Sequence, residues 1–492
     1  TDPTYWHNVA QSELEAALRD RQKGVAKNVI LFLGDGMGPT TVTAGRILAG
    51  QIKGKHGEET TYNVDTQVTD SAASGTAYLS GVKTNQGILG LNARAMKGRC
   101  NTTHQAEVQS ILRWSLDAGK SGGVVTTTRI THATPGASYS HTPERNWESD
   151  SFLPSNKHVF CFCNCIFFIL NCFRPGLICY GRKKSALHCL FTCCLVKFYA
   201  LLDWQDMKKE QGKAYKYVYD RSGLEAVDIA HTDYLLGLFN QDHMMYERER
   251  NKTKEPSLAE MTAKAIQILK KNENGFFLLV EGGRIDHGHH SAQASLALHD
   301  VVAFADAVEK ASQLTSPSDT LIVVTADHSH AFAVAGYPSR GNDILGLSMV
   351  DDKLTLAGDN LPYTTLVYGN GPGFTATREN ITLVDTTDPM YKSQSAVPLS
   401  YETHGGEDVA IYAKGPQSFL YSGVHEQNYI PMVMAYASCV GPYGESAQRK
   451  CARDETVTAP QNIQQTVCDS AAVTLANLTV FLLCLFVSSA TR

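Results

Sequence analysis

The stretch NVILFLGDGMG, at residues 28–38, decides the fold, because a run of apolar residues ends abruptly at a glycine-flanked aspartate, Asp35. Apolar and polar residues do not alternate in the run, which indicates a strand that is buried on both faces. Such strands belong to parallel sheets that carry helices on each side. An aspartate after a strand is most often a turn or helix cap, so Asp35 alone does not establish a functional site.

Similar continuous apolar runs recur further along the chain. Apolar runs stand at 123–128 (GVVTTT), 275–280 (GFFLLV), 320–325 (TLIVVT) and 408–412 (DVAIY), with helical patterns between them. We therefore predict an α/β fold with a largely parallel central sheet flanked by helices on both faces. Ligands of such sheets bind beyond the carboxyl ends of the strands, which is where the polar clusters of this sequence fall.

Composition limits the class of protein. The chain has 492 residues, of which 43% are hydrophobic, and its formal net charge is -5. This is an ordinary globular balance, which excludes a disordered chain, a collagenous fibre and a protein with many membrane spans. The mild acidity gives no basic footprint, so we expect no nucleic-acid partner.

Two of the polar clusters carry metal-ligating side chains. The run EGGRIDHGHH, at 281–290, places Asp286 and His290 four residues apart, on one face of a helix. The run DHSH, at 327–330, puts imidazoles beside a carboxylate, which are costly to bury unless they are paired or bind a metal. Carboxylates with histidine suit zinc, and an all-oxygen set with threonine suits magnesium. Several such clusters at strand ends predict a phosphate-handling site with more than one metal ion.

Six motifs, in this order, resemble those of the alkaline phosphatase family. They are FLGDGMG (32–38), TDSAAS (69–74), TTTRITHATP (126–135), EGGRIDHGHH (281–290), VTADHSH (324–330) and ETHGGED (402–408). The resemblance covers most of 1–150 and 203–445 and is strongest to the animal members. It implies a single catalytic domain over 1–468 that hydrolyses phosphate monoesters through a phosphoserine intermediate.

The resemblance also implies two zinc ions and one magnesium ion per chain. One zinc ion would bind Asp286, His290 and His404, and the other Asp35, Asp327 and His328. The magnesium ion would bind Asp35, Thr134 and Glu281. Side chains next to these ligands would be His132, His287 and His330.

Ser71 matches the nucleophile of the family, and Arg145 matches its phosphate-binding arginine. A serine hydroxyl is a poor nucleophile at neutral pH, so Ser71 needs the second zinc ion, and its place at a predicted helix start adds a favourable dipole. Arg145 offers a planar fork to two phosphoryl oxygens. Because these contacts centre on the phosphoryl group, we expect broad tolerance for the alcohol.

Two regions depart from the family pattern. Between Thr61 and Val64 a stretch is missing that holds a buried strand in the family. From Ser155 to about Leu202 a cysteine- and phenylalanine-rich sequence, with eight of the 13 cysteines, replaces a helix, a strand and a glycine-rich segment. This sequence lacks a zinc-type spacing of cysteines and histidines, and its apolar runs are short for a membrane hairpin. We interpret residues 151–202 as an aberrant segment that arises from a gene-model error.

These departures affect a calcium site and the disulfides. The resemblance places a calcium-like site at Phe239, Asn240 and Glu255, but Asn240 stands where an acid is expected, so calcium binding is doubtful. Cys100 has lost its identifiable disulfide partner, whereas Cys439 and Cys451 remain a reasonable pair.

The C-terminal end and three sequons favour a secreted route. Residues 469–492 begin with small residues and continue as an apolar tail, which fits a cleaved glycolipid-anchor signal; a tail-anchored helix and a buried helix are the alternatives. The glycosylation sequons are at Asn101, Asn251 and Asn380. We expect a lipid-anchored protein on the extracellular face of the cell membrane. The resemblance also implies a homodimer, in which Tyr337 reaches the partner's site.

Two other readings of the function stay open at this point. A related phosphodiesterase or sulfatase is one, although sulfatase chemistry uses a modified cysteine and not a serine such as Ser71. The other is a catalytically impaired, metal-binding surface protein, which requires that the 151–202 segment be real.

Overall fold

The computed structural model describes residues 23–52, 69–148, 152, 177–180 and 204–444, and the statements below concern these residues. By its contacts the chain divides into two compact units, Thr1–Arg453 and Asp454–Arg492, and every described residue belongs to the first. The strands, in chain order, are β1 (Asn28–Gly34), β2 (Ser121–Thr126), β3 (Leu177–Tyr180), β4 (Tyr215–Val218), β5 (Tyr234–Leu238), β6 (Phe276–Gly282), β7 (Thr320–Ala326), β8 (Ser329–His330), β9 (Phe332–Val334), β10 (Met349–Val350), β11 (Lys353–Leu354), β12 (Leu366–Gly371), β13 (Ser395–Pro398), β14 (His404–Gly405) and β15 (Tyr412–Lys414).

Helices connect most of these strands. In chain order they are α1 (Pro39–Ile52), α2 (Ser71–Ser80), α3 (Ile111–Asp117), α4 (Ala133–Ala137), α5 (Arg221–Glu225), α6 (Leu258–Leu269), α7 (Arg284–His290), α8 (Ala294–Leu314) and α9 (Tyr429–Ser438). Short 3-10 turns stand at Cys100–Thr102, Ser418–Tyr421 and Gly441–Tyr443. None of the helices in the described ranges has both the length and the apolar composition that crossing a membrane requires.

An eight-stranded sheet forms the centre, in the order β15-β7-β1-β6-β2-β3-β5-β4. Its paired strands run parallel except for β15, which pairs antiparallel with β7 at one edge. The predicted α/β fold with a largely parallel sheet is therefore confirmed. The prediction of a buried strand at 408–412 was wrong, because the strand is Tyr412–Lys414 and its outer position leaves it partly exposed.

Side chains of β1 explain why its apolar run does not alternate. Leu31 and Leu33 enter a core on one face of the sheet, together with residues of α2, α3 and α9. Ile30 and Phe32 enter a second core, together with residues of α6 and α8. The Phe32 ring meets that of Phe304 edge to face, with centroids 5.8 Å apart. Both faces of the strand are therefore buried against helices, as the sequence predicted.

One strand of the sheet lies inside the 151–202 segment. β3 pairs with β2 through Val124 and Ile178, and with β5 through Leu177 and Leu235. The rest of this segment lies outside the described residues, as does the site of the missing stretch between Thr61 and Val64. The gene-model interpretation stays a prediction, although the backbone at 177–180 occupies a place in the main sheet.

The register of the central strands brings three acidic residues to one edge. Leu33 of β1 is level with Glu281 of β6 and with Thr325 of β7. Asp35 and Asp327 stand immediately after the last residues of β1 and β7, so both follow the strand ends beside Glu281. The polar clusters that stand far apart in the sequence therefore meet where the parallel strands end.

Candidate metal-binding active site

One group of side chains consists of Asp286, His290 and His404. Helix α7 carries the first two one turn apart, with 3.3 Å between Asp286 Oδ1 and His290 Nε2. His404 Nε2 lies 3.5 Å from the same carboxylate oxygen and 3.2 Å from His290 Nε2. Zinc bonds of about 2.0–2.1 Å give ligand atoms about 3.3 Å apart in a tetrahedron. The triangle of these three atoms therefore fits one face of a zinc site.

Main-chain carbonyl groups fix the ring orientation of the two histidines in this group. His290 Nδ1 donates to the carbonyl oxygen of Glu402 at 2.5 Å, and His404 Nδ1 donates to that of Thr69 at 2.9 Å. With the proton on Nδ1, each ring presents the lone pair of Nε2 to the centre of the group. This is the arrangement that metal-binding histidines adopt.

A second group joins Asp35, Asp327 and His328 with the hydroxyl of Ser71. His328 Nε2 lies 3.3 Å from Asp327 Oδ2 and 3.6 Å from Asp35 Oδ1. Ser71 Oγ lies 3.4 Å from His328 Nε2 and 3.5 Å from Asp35 Oδ1. These spacings are again those of tetrahedral ligand atoms, with the serine oxygen as the fourth. Oδ2 of Asp35 and Oδ2 of Asp327 are buried and have no hydrogen-bond partner.

Ser71 is the first residue of α2, as its sequence context predicted. Asp70 caps this helix, because its carboxylate accepts from Ala73 N at 3.2 Å. The capped helix end directs its positive dipole towards the serine, and Ser71 is buried among the acidic side chains. The helix end favours a negative charge on the serine oxygen, whereas burial and the neighbouring carboxylates oppose it unless cations lie among them.

A third group surrounds Glu281. One oxygen of Glu281, Oε2, accepts from the hydroxyls of Thr126 and Thr128, while the other, Oε1, is buried without a partner. Asp35 and His132 lie close enough to share a metal ion with Glu281, and His132 Nδ1 is also buried without a partner. Thr134, the remaining expected magnesium ligand, is buried, and its hydroxyl accepts from Tyr78 at 3.3 Å.

Arg145 lies between the cap of α2 and the third group. Its Nη1 donates to Asp70 Oδ2 at 3.1 Å, which fixes the plane of the guanidinium. Its Nη2 faces His132 Nε2 at 3.3 Å. About a fifth of the side chain is exposed, at 21%, so an incoming anion can reach it.

Burial sets the charges of the acidic residues. Burial first, and then the neighbouring carboxylates, raise the pKa of Asp35 well above its ordinary value, and burial also raises that of Asp327. Burial raises the pKa of Glu281 to about 7. So many buried carboxyls stay ionised together only when cations lie among them. The orphaned oxygens and the ligand chemistry therefore fit divalent metal ions.

Asp286 behaves differently because imidazoles surround it. Burial alone would raise its pKa, but His290, His330 and His404 hold it well below the ordinary value. His330 Nε2 lies 3.0 Å from Asp286 Oδ1, and its Nδ1 donates to Glu402 Oε2 at 2.5 Å. These two carboxylates outweigh burial and raise the pKa of His330 to about 9. The sequence analysis did not single out Glu402, although it stands two residues before His404 in a motif.

His287 lies beside the third group, next to the ring of His132. Its ring lies 5.5 Å from that of His132 and 4.4 Å from that of His243, measured between centroids. Arg284 Nη1 is 2.9 Å from His287 Nδ1. Burial lowers the pKa of His287 to about 3, so the ring is neutral beside these cations and imidazoles.

The residues expected at a calcium site contact one another directly. The side-chain amide of Asn240 donates to Glu255 Oε1, and Met245 N donates to Glu255 Oε2 at 3.0 Å. Phe239 and Glu255 are buried. Both oxygens of Glu255 are thus engaged by protein donors, one of them supplied by the asparagine that replaces the expected acid.

Positions outside the metal groups stand as follows. Asn101, Asn251 and Asn380 are exposed, as an attached glycan requires. Cys439 is disulfide-bonded, and Cys451 lies outside the described residues.

The expectation for Cys100 was wrong, because this cysteine is disulfide-bonded.

The chain matches known proteins over most of its length. The family model for alkaline phosphatase matches residues 26–440. The chain is similar to the tissue-nonspecific isozyme of alkaline phosphatase from Rattus norvegicus, at 48% identity over 473 residues that cover 89% of each chain. It is 46% identical to the Homo sapiens isozyme over 480 residues, with the same coverage. An alkaline phosphatase of Gadus morhua is 46% identical over 483 residues, which cover 89% of this chain and 98% of the relative.

Solved structures share the fold. The alkaline phosphatase of the Antarctic bacterium TAB5 superposes with a TM-score of 0.56 at 21% identity, over 85% of this chain and 100% of that one. A cold-active alkaline phosphatase of a psychrophilic Shewanella species gives a TM-score of 0.57 at 23% identity, over 84% and 99%.

Proposed function

The chain belongs to the alkaline phosphatase family, and we propose that it acts through Ser71 at a site with two zinc ions and one magnesium ion. As a member of that family it is a hydrolase that acts on phosphate esters and binds divalent metal ions. In this proposal one zinc ion binds Asp286, His290 and His404, the other binds Asp35, Asp327 and His328, and magnesium binds Asp35, Thr134 and Glu281.

The observation that carries the proposal is the position of Ser71 Oγ. It lies 3.4 Å from His328 Nε2 and 3.5 Å from Asp35 Oδ1, which are the distances expected of a fourth ligand atom beside Asp35, Asp327 and His328. When bound, the metal ions supply Lewis-acid stabilisation of anionic oxygens and lower the pKa of attached hydroxyls. A buried serine at the start of a capped helix is placed to use that effect.

The reaction proceeds in two displacements at phosphorus. Arg145 holds two non-bridging phosphoryl oxygens with its planar fork, and Asp70 keeps that fork in position. Ser71 Oγ attacks phosphorus, the bond to the alcohol oxygen breaks, and the alcohol leaves with a proton. Water then attacks the phosphoserine, which releases inorganic phosphate and restores the hydroxyl of Ser71.

A direct assay tests this function. We expect hydrolysis of an aryl phosphate at alkaline pH, loss of that activity with a chelator, and loss of it in Ser71→Ala. Ser422→Ala, at an exposed serine outside the site, serves as the matched control and should keep wild-type activity. Activity that survives the chelator, or that survives the loss of Ser71, contradicts the proposal.

Broad specificity for the alcohol follows from where the contacts lie. Every residue assigned above acts on the phosphoryl group or on a metal ion, and none is assigned to the alcohol. Rates over phosphate esters whose alcohols have similar acidity should therefore agree within about tenfold. Strong discrimination among such esters would contradict this part.

The protein is also proposed to be a homodimer. Tyr337 is 93% exposed, and by resemblance it reaches the partner's site. Light scattering should give the mass of two chains. Tyr337→Ala should weaken the dimer, whereas Tyr219→Ala, at another exposed tyrosine, should not.

A lipid anchor, N-glycans and the extracellular face of the cell membrane complete the proposal. The apolar stretch in 469–492 and the three exposed sequons support them. We expect a phospholipase that cleaves glycolipid anchors to release the enzyme from intact cells. Retention of the apolar tail in the mature protein would indicate a different attachment.

A further inference from the structure

Glu402 is fully buried, and the proposed reaction does not use its carboxylate. Its Oε1 accepts from Ala331 N at 2.7 Å, and its Oε2 accepts from His330 Nδ1 at 2.5 Å. Its main chain is engaged as well, because its carbonyl accepts from His290 Nδ1 at 2.5 Å and its N–H donates to the carbonyl of His290 at 2.9 Å. A single residue thus contacts one expected zinc ligand and the histidine beside another.

His330 extends the contact of Glu402 to a second zinc ligand. Its Nε2 lies 3.0 Å from Asp286 Oδ1, so the side chains form a chain from Glu402 through His330 to Asp286. Carboxylates only accept, so each nitrogen of the ring must offer a hydrogen to bond both. The ring of His289 stacks on that of His330, with centroids 4.8 Å apart, and prevents it from turning away.

A glycine, Gly371, lets the neighbouring main chain approach Glu402 closely. Gly371, at φ 127°, approaches so closely that a Cβ atom there would lie 2.9 Å from the Cβ of Glu402. The antiparallel pairing of β8 with β14, in which His330 is level with His404, brings the two segments together. The position of Glu402 is therefore set by the main chain and not by its own side chain alone.

We propose that Glu402 is a positioning residue for the zinc ion held by Asp286, His290 and His404. It holds His290 through its main-chain carbonyl and Asp286 through His330. The inference rests on the proposed zinc assignment. Residues that orient metal ligands in this way typically change metal affinity about 10- to 100-fold when they are altered.

Glu402→Gln tests the side-chain part of this role. Ala331 N and His330 Nδ1 bond different oxygens of Glu402, and glutamine replaces one of these oxygens with an NH2 donor, so its amide nitrogen must face one of the two donors. Glu407→Gln is the matched control, because Glu407 is an exposed carboxyl in the same segment, five residues after Glu402.

The measurement is zinc content per chain of the full-length enzyme against free zinc fixed by a chelator buffer. We expect Glu402→Gln to weaken one of the two zinc equivalents by about 10- to 100-fold and to leave the other within about threefold. Glu407→Gln should leave both within about threefold. A folded Glu402→Gln with two unchanged zinc equivalents overturns the proposal.

A double-mutant cycle with His330→Ala separates positioning from a general loss of stability. If Glu402 acts through His330, adding Glu402→Gln to His330→Ala should weaken zinc binding by less than about threefold more. Equal effects in both backgrounds overturn the proposal.

Glu402→Asp is the substitute variant if Glu402→Gln fails to fold. Its side chain is one methylene shorter, so its carboxylate cannot reach both donors. A zinc affinity equal to that of the wild type would then contradict the proposal.

The same titration keeps this inference distinct from the proposed function. A wild-type enzyme that takes up no zinc refutes the proposed function and, with it, the role of Glu402. A wild-type enzyme that takes up two zinc ions, together with an unaffected Glu402→Gln, refutes only the role of Glu402.

Discussion

Arg145 shows how a single side chain is prepared for phosphate. Asp70 caps helix α2 through Ala73 N and at the same time accepts from Arg145 Nη1, so the same carboxylate orders the nucleophile's helix and the anion-binding fork. The guanidinium therefore needs little reorganisation when a phosphoryl group arrives, which favours rate as well as affinity.

Replacing this fork with a point charge gives a prediction at the residue scale. Arg145→Lys keeps the charge but loses the bidentate contact, so we expect kcat/KM to fall about 10- to 100-fold and inorganic phosphate to inhibit less strongly. Steady-state kinetics with an aryl phosphate and phosphate inhibition measure both. Arg113→Lys, at an exposed arginine paired with Asp117, is the control. Unchanged phosphate inhibition in Arg145→Lys would argue against the assigned role.

Helix α7 is the element that positions the first zinc group, and it packs closely on α8. A Cβ atom on Gly288 would lie 2.6 Å from Ala297 N, and backbone atoms there cannot move aside cheaply. A larger residue would therefore push α7 outward and carry Asp286 and His290 with it.

Gly288→Ala tests this packing. We expect a stability loss of about 1–3 kcal/mol, a lower Tm and weaker binding of one zinc ion. Gly358→Ala, where no heavy atom lies within 4 Å of the added Cβ, should leave the Tm unchanged. Differential scanning calorimetry and zinc analysis give the two values. A Gly288→Ala variant with wild-type Tm and zinc content would show that the close approach does not matter.

Elements also show what the sequence could and could not predict. The contact of Asp286 with His290 was predictable, since four residues make one helical turn. The apolar run in β1 predicted burial on both faces. The bond of His330 to Glu402 was not predictable from spacing, because 72 residues separate the two and only the pairing of β8 with β14 brings them together. The edge position of β15 likewise depends on long-range packing.

The molecule as a whole has a buried acid outside the metal groups. Asp300 of α8 is buried, accepts from Glu247 N at 3.0 Å, and has its pKa raised by burial to about 7. Between about pH 4 and pH 7 the unfolded chain releases the Asp300 proton while the folded chain keeps it. Stability contributed by this residue therefore falls as pH rises through that range and then stays constant.

Asp300→Asn should remove this dependence. A rise in pKa from 3.8 to about 7 corresponds to at most about 4 kcal/mol, so we expect the variant to have the higher Tm at pH 8 and no advantage near pH 4. Thermal unfolding of both proteins at the two pH values measures the effect. A variant that is less stable than the wild type at pH 8 would contradict it.

Whether residues 151–202 belong to the natural protein can be tested on its transcript. If the segment arises from a gene-model error, sequencing the transcript across codons 150–205 should give a different coding sequence there. An uninterrupted message that encodes the present residues, in abundant RNA, would count against that interpretation. β3 would then be a native strand of the main sheet.

Trapping the phosphorylated enzyme tests the central claim most directly. Acid quenching during turnover of an aryl phosphate, followed by mass spectrometry of the peptides, should find one phosphate on Ser71 and none in Ser71→Ala. A turning-over enzyme whose phosphate lies on a different residue, or which never carries phosphate, would contradict the account.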